Sequence, residues 1–186
     1  MGKAFQHFKT ITRHRHEVIR NCKKAGIFWQ GLRHDLSKYS PTEFLQGAKY
    51  WQGTRSPNDR EREVIGYSQA WMHHKGRNRH HFEYWSDYSA VDKVVRPVEM
   101  PLRYVVEMFC DRVAASKIYM GDKYTDKSPL EYFEKGKHRR VGRIHEKTSD
   151  LIESLLTMLA EEGEDKTFAY IRKLVKSEKR RAKDKG

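Results

Sequence analysis

The sequence predicts a single all-α domain, and three observations carry that prediction. The pattern Ser-Pro-x-acid occurs at Ser40-Pro41-Thr42-Glu43, Ser56-Pro57-Asn58-Asp59 and Ser128-Pro129-Leu130-Glu131, and each reads as a helix start. Serine offers its oxygen to the first free amides, proline suits the first helical position, and an acid in the first turn favours the helix dipole. Gly26, Gly76 and Gly121 fall where helical patterns end, as C-terminal glycines do. No stretch keeps the alternation of a half-buried strand.

In chain order, a first helix covers about residues 4–25 and stops at Gly26. A second, short helix carries His34-Asp35, and a third runs from Pro41 toward Trp51. A fourth reaches from Pro57 to about His74, ended by Gly76. Residues 75–100 hold Gly76, Asn78 and Pro97 without a sustained period, the mark of a functional loop with short turns. Pro101 opens a fifth helix through about Met120. Shorter pieces follow from Pro129, then a helix from about Ile144 to Glu162, and a last one from about Lys166 into a basic tail. The domain proper is read as residues 1–165 and the basic C-terminal helix or tail as 166–186.

A chain of 186 residues buries a substantial core without disulfides. No apolar run reaches membrane-spanning length, and the N-terminus lacks a secretory apolar core, so the expectation is a cytoplasmic protein without a membrane partner. Met1-Gly2 opens like a myristoylation site, but Gln6 stands where Ser or Thr is required. Cys22 and Cys110 read as buried free thiols. The net charge of +13 points to an anionic partner, and the stretch from Arg172 to Lys185, with eight basic and two acidic residues, carries +6 of it. A phosphorylated small molecule and a nucleic acid held by the basic tail both satisfy that charge.

The chemistry is concentrated elsewhere. His34-Asp35 sits in Leu32-Arg33-His34-Asp35-Leu36-Ser37-Lys38, a pair of metal-ligand types with a lysine three residues on. His14 lies upstream, His73, His74, His80 and His81 cluster within nine residues, and Asp111 follows. These nitrogen and oxygen donors suit one or two divalent transition ions (Mn, Fe, Co, Ni or Zn) better than Mg. His14 shares a helix face with Ile11, Val18 and Cys22, whereas His16 neighbours Thr12, Arg13 and Arg20 and faces solvent. Asp111 lies among Met108, Ala114 and Ala115, an apolar face on which a carboxylate needs compensation. His74 is favoured over His73 by Ala70, Trp71 and Tyr67. His80 and His81 are not separated by periodicity, and His7, His138 and His145 read as ordinary polar positions.

The order His14, His34-Asp35 with Lys38, then Asp111 resembles the HD-domain superfamily of metal-dependent phosphohydrolases. Ser37 replaces the glycine usual there, and the gap from His14 to His34 is short. More closely, residues 34–44 and 70–85 resemble a family of uncharacterised HD-like proteins of bacteria and their phages. The resemblance implies an HD-like helical bundle with His14, His34, Asp35 and Asp111 on one metal ion. Asp35 would bridge to a second ion completed by His74 and one of His80 or His81. The activity expected is hydrolysis of a phosphate ester, with a nucleotide as the natural substrate. Lys38 is placed to contact the phosphate beside Asp35, and Arg77 and Arg79 to reach the leaving group. Two alternatives remain: an HD-like diiron oxygenase, and a nucleic-acid-binding protein with a structural metal site.

Overall fold

In a computed structural model, which describes residues 2–184, two long helices lie side by side against a third that is bent. The helices are α1 (Lys3–Ala25), α2 (Phe28–Gly31), α3 (Pro41–Tyr50), α4 (Pro57–Ile65), α5 (Gln69–Lys75), α6 (Leu102–Met120), α7 (Ser128–Lys135), α8 (Lys137–Arg140) and α9 (Glu146–Lys183). Strands β1 (Ser86–Tyr88) and β2 (Val95–Pro97) form a small antiparallel hairpin between α5 and α6. The all-α prediction holds, with this hairpin as the exception.

The core is built by α1, α6 and α9. Val18 and Cys22 of α1 meet Val106, Phe109, Cys110 and Val113 of α6, and Ile152, Leu155, Leu156 and Leu159 of α9 close the third side. These positions recur three and four residues apart, so each helix turns one continuous apolar stripe inward. Asn21 is buried at the same interface and donates from Nδ2 to the Cys110 carbonyl at 3.1 Å, fixing α1 against α6. Cys22 and Cys110 are buried and free, as expected. Among the described residues, no helix is long and apolar enough to cross a membrane.

Helix boundaries follow the sequence where backbone chemistry dictates them. Gly26 takes a left-handed conformation (φ 82°), and α1 closes with bonds from Gly26 N to Lys23 O and Ile27 N to Cys22 O. Three expectations change. His34-Asp35 is not helical: α2 ends at Gly31, and Asp35 sits in a left-handed turn (φ 53°) ahead of a 3-10 turn at Leu36–Tyr39. The single helix expected from Pro57 to His74 is two. Gly66 (φ 84°) ends α4, and Ser68 Oγ caps α5 by accepting from Trp71 N at 3.0 Å. The loop 75–100 holds β1 and β2, whose three-residue strands are too short to display an alternating pattern.

All three Ser-Pro starts are helix starts, but only Ser56 caps with its side chain, accepting from Asn58 N at 3.4 Å. Gly163 (φ 81°, ψ 172°) bends α9 near the expected break between the last two helices. Beyond the bend, Phe168, Ile171 and Val175 belong to the same core, so apolar packing runs past residue 165. From Lys176 to Asp184 every side chain is exposed. Replacing Ile171 by Ala should therefore cost about 2–5 kcal/mol in urea unfolding. Removing residues 178–186 should change stability by no more than about 1 kcal/mol.

Candidate metal centre

The site forms where the turn after α2 enters the gap between α1, α5 and α6. His14 reaches in from α1, Asp111 from α6 and His74 from α5, while His80 and His81 come from the loop after α5. Among the described residues three groups of donor atoms result, each with its atoms within 4.8 Å of one another. The first is His14, His34, Asp35 and Asp111, the second is Asp35, His74, His80 and His81, and the third is His34, His80 and Glu107. The first two meet at Asp35. The left-handed backbone at Asp35 turns its carboxylate back between those two, a conformation aspartate tolerates better than most residues.

Within the first group, His14 Nε2 lies 2.9 Å from Asp111 Oδ1, and His34 Nε2 lies 3.1 Å from Asp35 Oδ2. Within the second, His74 Nε2 is 3.2 Å and His80 Nε2 is 3.5 Å from Asp35 Oδ1, and His81 Nε2 is 2.9 Å from His74 Nε2. Yet His14 Nε2, His34 Nε2, His80 Nε2 and both Asp35 oxygens are buried without a well-aligned hydrogen bond, although Lys38 is ion-paired with Asp35 Oδ2. They converge without being aligned as donors and acceptors. Buried polar atoms left this way are costly, and a shared cation satisfies them all. The donor set therefore fits one or two metal ions.

The histidines are held from behind by carboxylates. Glu107, four residues before Asp111 on α6, has Oε1 at 2.9 Å from His34 Nδ1 and 3.4 Å from His80 Nδ1. Its other oxygen accepts from Gln30. Glu43 of α3 spans His73 Nδ1 and His74 Nδ1, each at 2.7 Å. Such partners fix which ring nitrogen faces the ion and raise its basicity. Neither role is predicted from sequence. Glu43 stands at the third position after Ser40 and reads as a helix-start acid, while Glu107 shares the inward face of Asp111 one turn earlier.

The electrostatics follow from burial. Desolvation penalises the Asp35 carboxylate, but His34, Lys38 and His74 outweigh it and hold its pKa well below the usual range. Desolvation also opposes charge on His34, and Asp35, Asp111 and Glu107 overcome it, raising the pKa well above that of free histidine. Glu107 is held down to about 2, burial being outweighed by His34 and His80. His81 moves the other way: burial, then His80 and His74, depress it well below the usual value. Lys38 Nζ lies 2.6 Å from Asp35 Oδ2.

A cavity of about 230 Å³ opens beside these donors, with Lys38, Arg55, Trp51, Trp71, Tyr119 and Tyr132 in its wall. An adjoining space of about 410 Å³ shares Arg55, Trp71, Tyr119 and Tyr132 and adds Glu83 and Arg112. Arg77 and Arg79 do not line either space. Arg77 donates to the His73 carbonyl at its own helix end, and Arg79 stacks over Tyr84 beside Tyr104. Arg55, from the loop between α3 and α4, lines both spaces, and Arg112 of α6 lines the second. His7 is a second residue the sequence leaves out. It lies seven residues before His14 on the same face of α1, lines the cavity, and is packed under Gly47, where any Cβ would collide with its ring. Burial, reinforced by Lys38, lowers its pKa to about 4. His16 is exposed, as expected.

The profile of a family of unknown function (DUF5662) matches residues 3–158, and the chain belongs to that family. The match spans every residue of the three donor groups. No curated protein and no solved structure matches the chain.

If Glu107 and Glu43 orient the ligands, Glu107→Gln and Glu43→Gln should each weaken metal binding about 10- to 100-fold. Competition with a chromophoric chelator measures this. His16→Ala, at an exposed position of α1, should leave affinity unchanged.

Proposed function

We propose that the protein is a metal-dependent phosphohydrolase acting on the phosphate ester of a small molecule. The observation that carries this reading is the pair of donor groups joined through Asp35, opening on a cavity whose wall holds the cations Lys38 and Arg55. An anionic substrate meets positive charge there next to atoms suited to hold metal ions. One or two transition ions (Mn, Fe, Co, Ni or Zn) would supply a hydroxide nucleophile near neutral pH and Lewis acidity at the phosphoryl oxygens.

The chain's own residues have separate tasks in this scheme. Lys38 is anchored to Asp35 at 2.6 Å while 30% of its side chain stays exposed, so it serves two anions, the carboxylate and a phosphoryl oxygen. Arg55 donates from all three guanidinium nitrogens, one to Gln52 and two to Glu63, which fixes its fork in the cavity wall. Trp71, Tyr119 and Tyr132 offer flat apolar surface to the rest of the substrate. A nucleotide suits that combination of cation and aromatic wall. Overall, water adds to phosphorus, the ester P–O bond breaks, and phosphate and an alcohol leave.

The likeness to HD-domain hydrolases supports this reading through the order of His14, His34-Asp35 and Asp111. The oxygenase alternative uses the same donors, so the experiment has to separate them.

Elemental analysis should find about one or two equivalents of a transition metal, lost in folded His34→Ala and Asp35→Ala variants. With that metal restored, a phosphoester panel should reveal turnover. Lys38→Ala should lower kcat about 10²- to 10³-fold, and Arg55→Ala should chiefly raise KM. Arg77→Ala and Arg79→Ala should leave both constants near those of the parent. Absence of metal after reconstitution, or metal without any phosphoester turnover, would refute the proposal. A coloured iron protein that consumes oxygen instead would move the oxygenase to the front.

A further inference from the structure

A second surface, sharing no residue with the cavity wall, combines exposed aromatic rings with cations that lack acidic partners. Phe28 and Trp29 form the first turn of α2, with ring centroids 5.4 Å apart in a T-shaped contact. Trp29 is 74% exposed, the most of any exposed large aromatic side chain described. A tryptophan left so open forfeits most of the gain from burying its ring. It borders a groove of about 500 Å³ between α2, the start of α6 and the end of α9, with Arg103 and Lys179 in its wall.

The end of α9 supplies a charged edge to this groove. Arg172, Lys176, Lys179 and Lys183 recur at intervals of four, three and four residues and so share one helix face. At about 1.5 Å per residue that stripe is roughly 16 Å long. Two contacts show which way it faces. Arg172 Nε donates to the Lys24 carbonyl at 3.0 Å and Lys179 Nζ to the Gly26 carbonyl at 3.4 Å, beside the start of α2. Among the described residues, none of the four is ion-paired with a carboxylate, although charged side chains elsewhere form many such pairs. Glu178 is the one acid in the groove wall.

We infer that this face binds single-stranded nucleic acid, its backbone along the α9 stripe and an unpaired base stacked on Trp29. Cations spaced along a helix and not neutralised internally are what a phosphate chain requires, and their engagement releases counterions. An open indole beside them offers the stacking platform that distinguishes single-strand binding from plain charge attraction. An anionic membrane would also meet the charge. However, the apolar face of α9 is committed to the core through Phe168, Ile171 and Val175. Only the short α2 turn remains to enter lipid, too little for an interfacial helix, which buries a whole apolar face.

The test is fluorescence anisotropy of fluorescein-labelled dT20 with the full metal-loaded chain at 50–200 mM salt. dT20 should bind more tightly than a duplex of equal length, and the affinity should fall steeply with salt. Trp29→Ala should weaken dT20 binding about 5- to 100-fold, and Lys179→Glu should reduce the magnitude of the log–log salt slope by about 1. Circular dichroism verifies that both variants, altered at exposed positions, stay folded. No binding of dT20, affinity indifferent to Trp29→Ala, or equal binding of duplex would overturn the inference. So would capture of phosphatidylserine vesicles that depends on Trp29 in the absence of dT20 binding. The readout is affinity rather than turnover, so it stands or fails independently of the proposed hydrolase activity.

Discussion

A carboxylate stripped of water must be surrounded by positive charge, and the arrangement around Asp35 answers that demand. Its side chain lies at the centre of the helical assembly with 1% of the residue's surface exposed. Ionised and alone there, it would be several kcal/mol unfavourable. Lys38 meets one oxygen from the following 3-10 turn, His34 approaches the same oxygen, and His74 and His80 approach the other. Each of those groups is held by a different segment. The burial of one aspartate thus links the turn after α2 to α5 and to the loop that follows it.

The long helices make this geometry affordable. Because α1, α6 and α9 pack through an apolar core, their inward faces are set before the polar cluster is considered. His14 and Asp111 lie within the inward-facing runs of α1 and α6 that also carry Val18, Cys22, Val113 and Ala114. The helices position two donors rigidly, and the shorter segments bring the rest up to them. Glu43 and Glu107 then fix ring orientation from the outside. The result is a polar centre whose precision comes from helices and whose donors come largely from turns.

That division explains what the sequence reveals. His14, His34, Asp35, His74 and Asp111 are legible because metal-ligand residue types stand together or on an otherwise apolar helical face. His80 and His81 are legible as a pair, but periodicity is silent in a loop, and the structure brings both to Asp35. Arg55 is hidden for the same reason: Gly53-Thr54-Arg55 has no period, and only the path of the chain between α3 and α4 delivers it to the cavity. Arg77 and Arg79 stand near the histidines in sequence, yet their side chains line neither space beside the donors. Glu43 shows that one position can fit two grammars. An acid three residues into a helix start suits the dipole, yet this one is spent on His73 and His74 while Ser40 makes no side-chain cap.

The cluster also separates two kinds of positive charge that serve the same carboxylates. Against the cost of burial, Asp35 and its neighbours favour a proton on His34, as they would favour a metal ion. A nitrogen that ligates an ion must be free of its proton, so ion and proton compete for the same place and metal loading releases protons. Lys38 is different: its ammonium lies 2.6 Å from Asp35, and against the cost of burial Asp35 and Asp111 raise its pKa. Asp35 therefore has a charged partner in Lys38 and exchangeable partners around it. Val18, one turn from His14, and Met108 and Ala114, one turn either side of Asp111, belong to the apolar core, so the packing that holds the donors adjoins the site itself. The positions of the donors are what the fold holds constant.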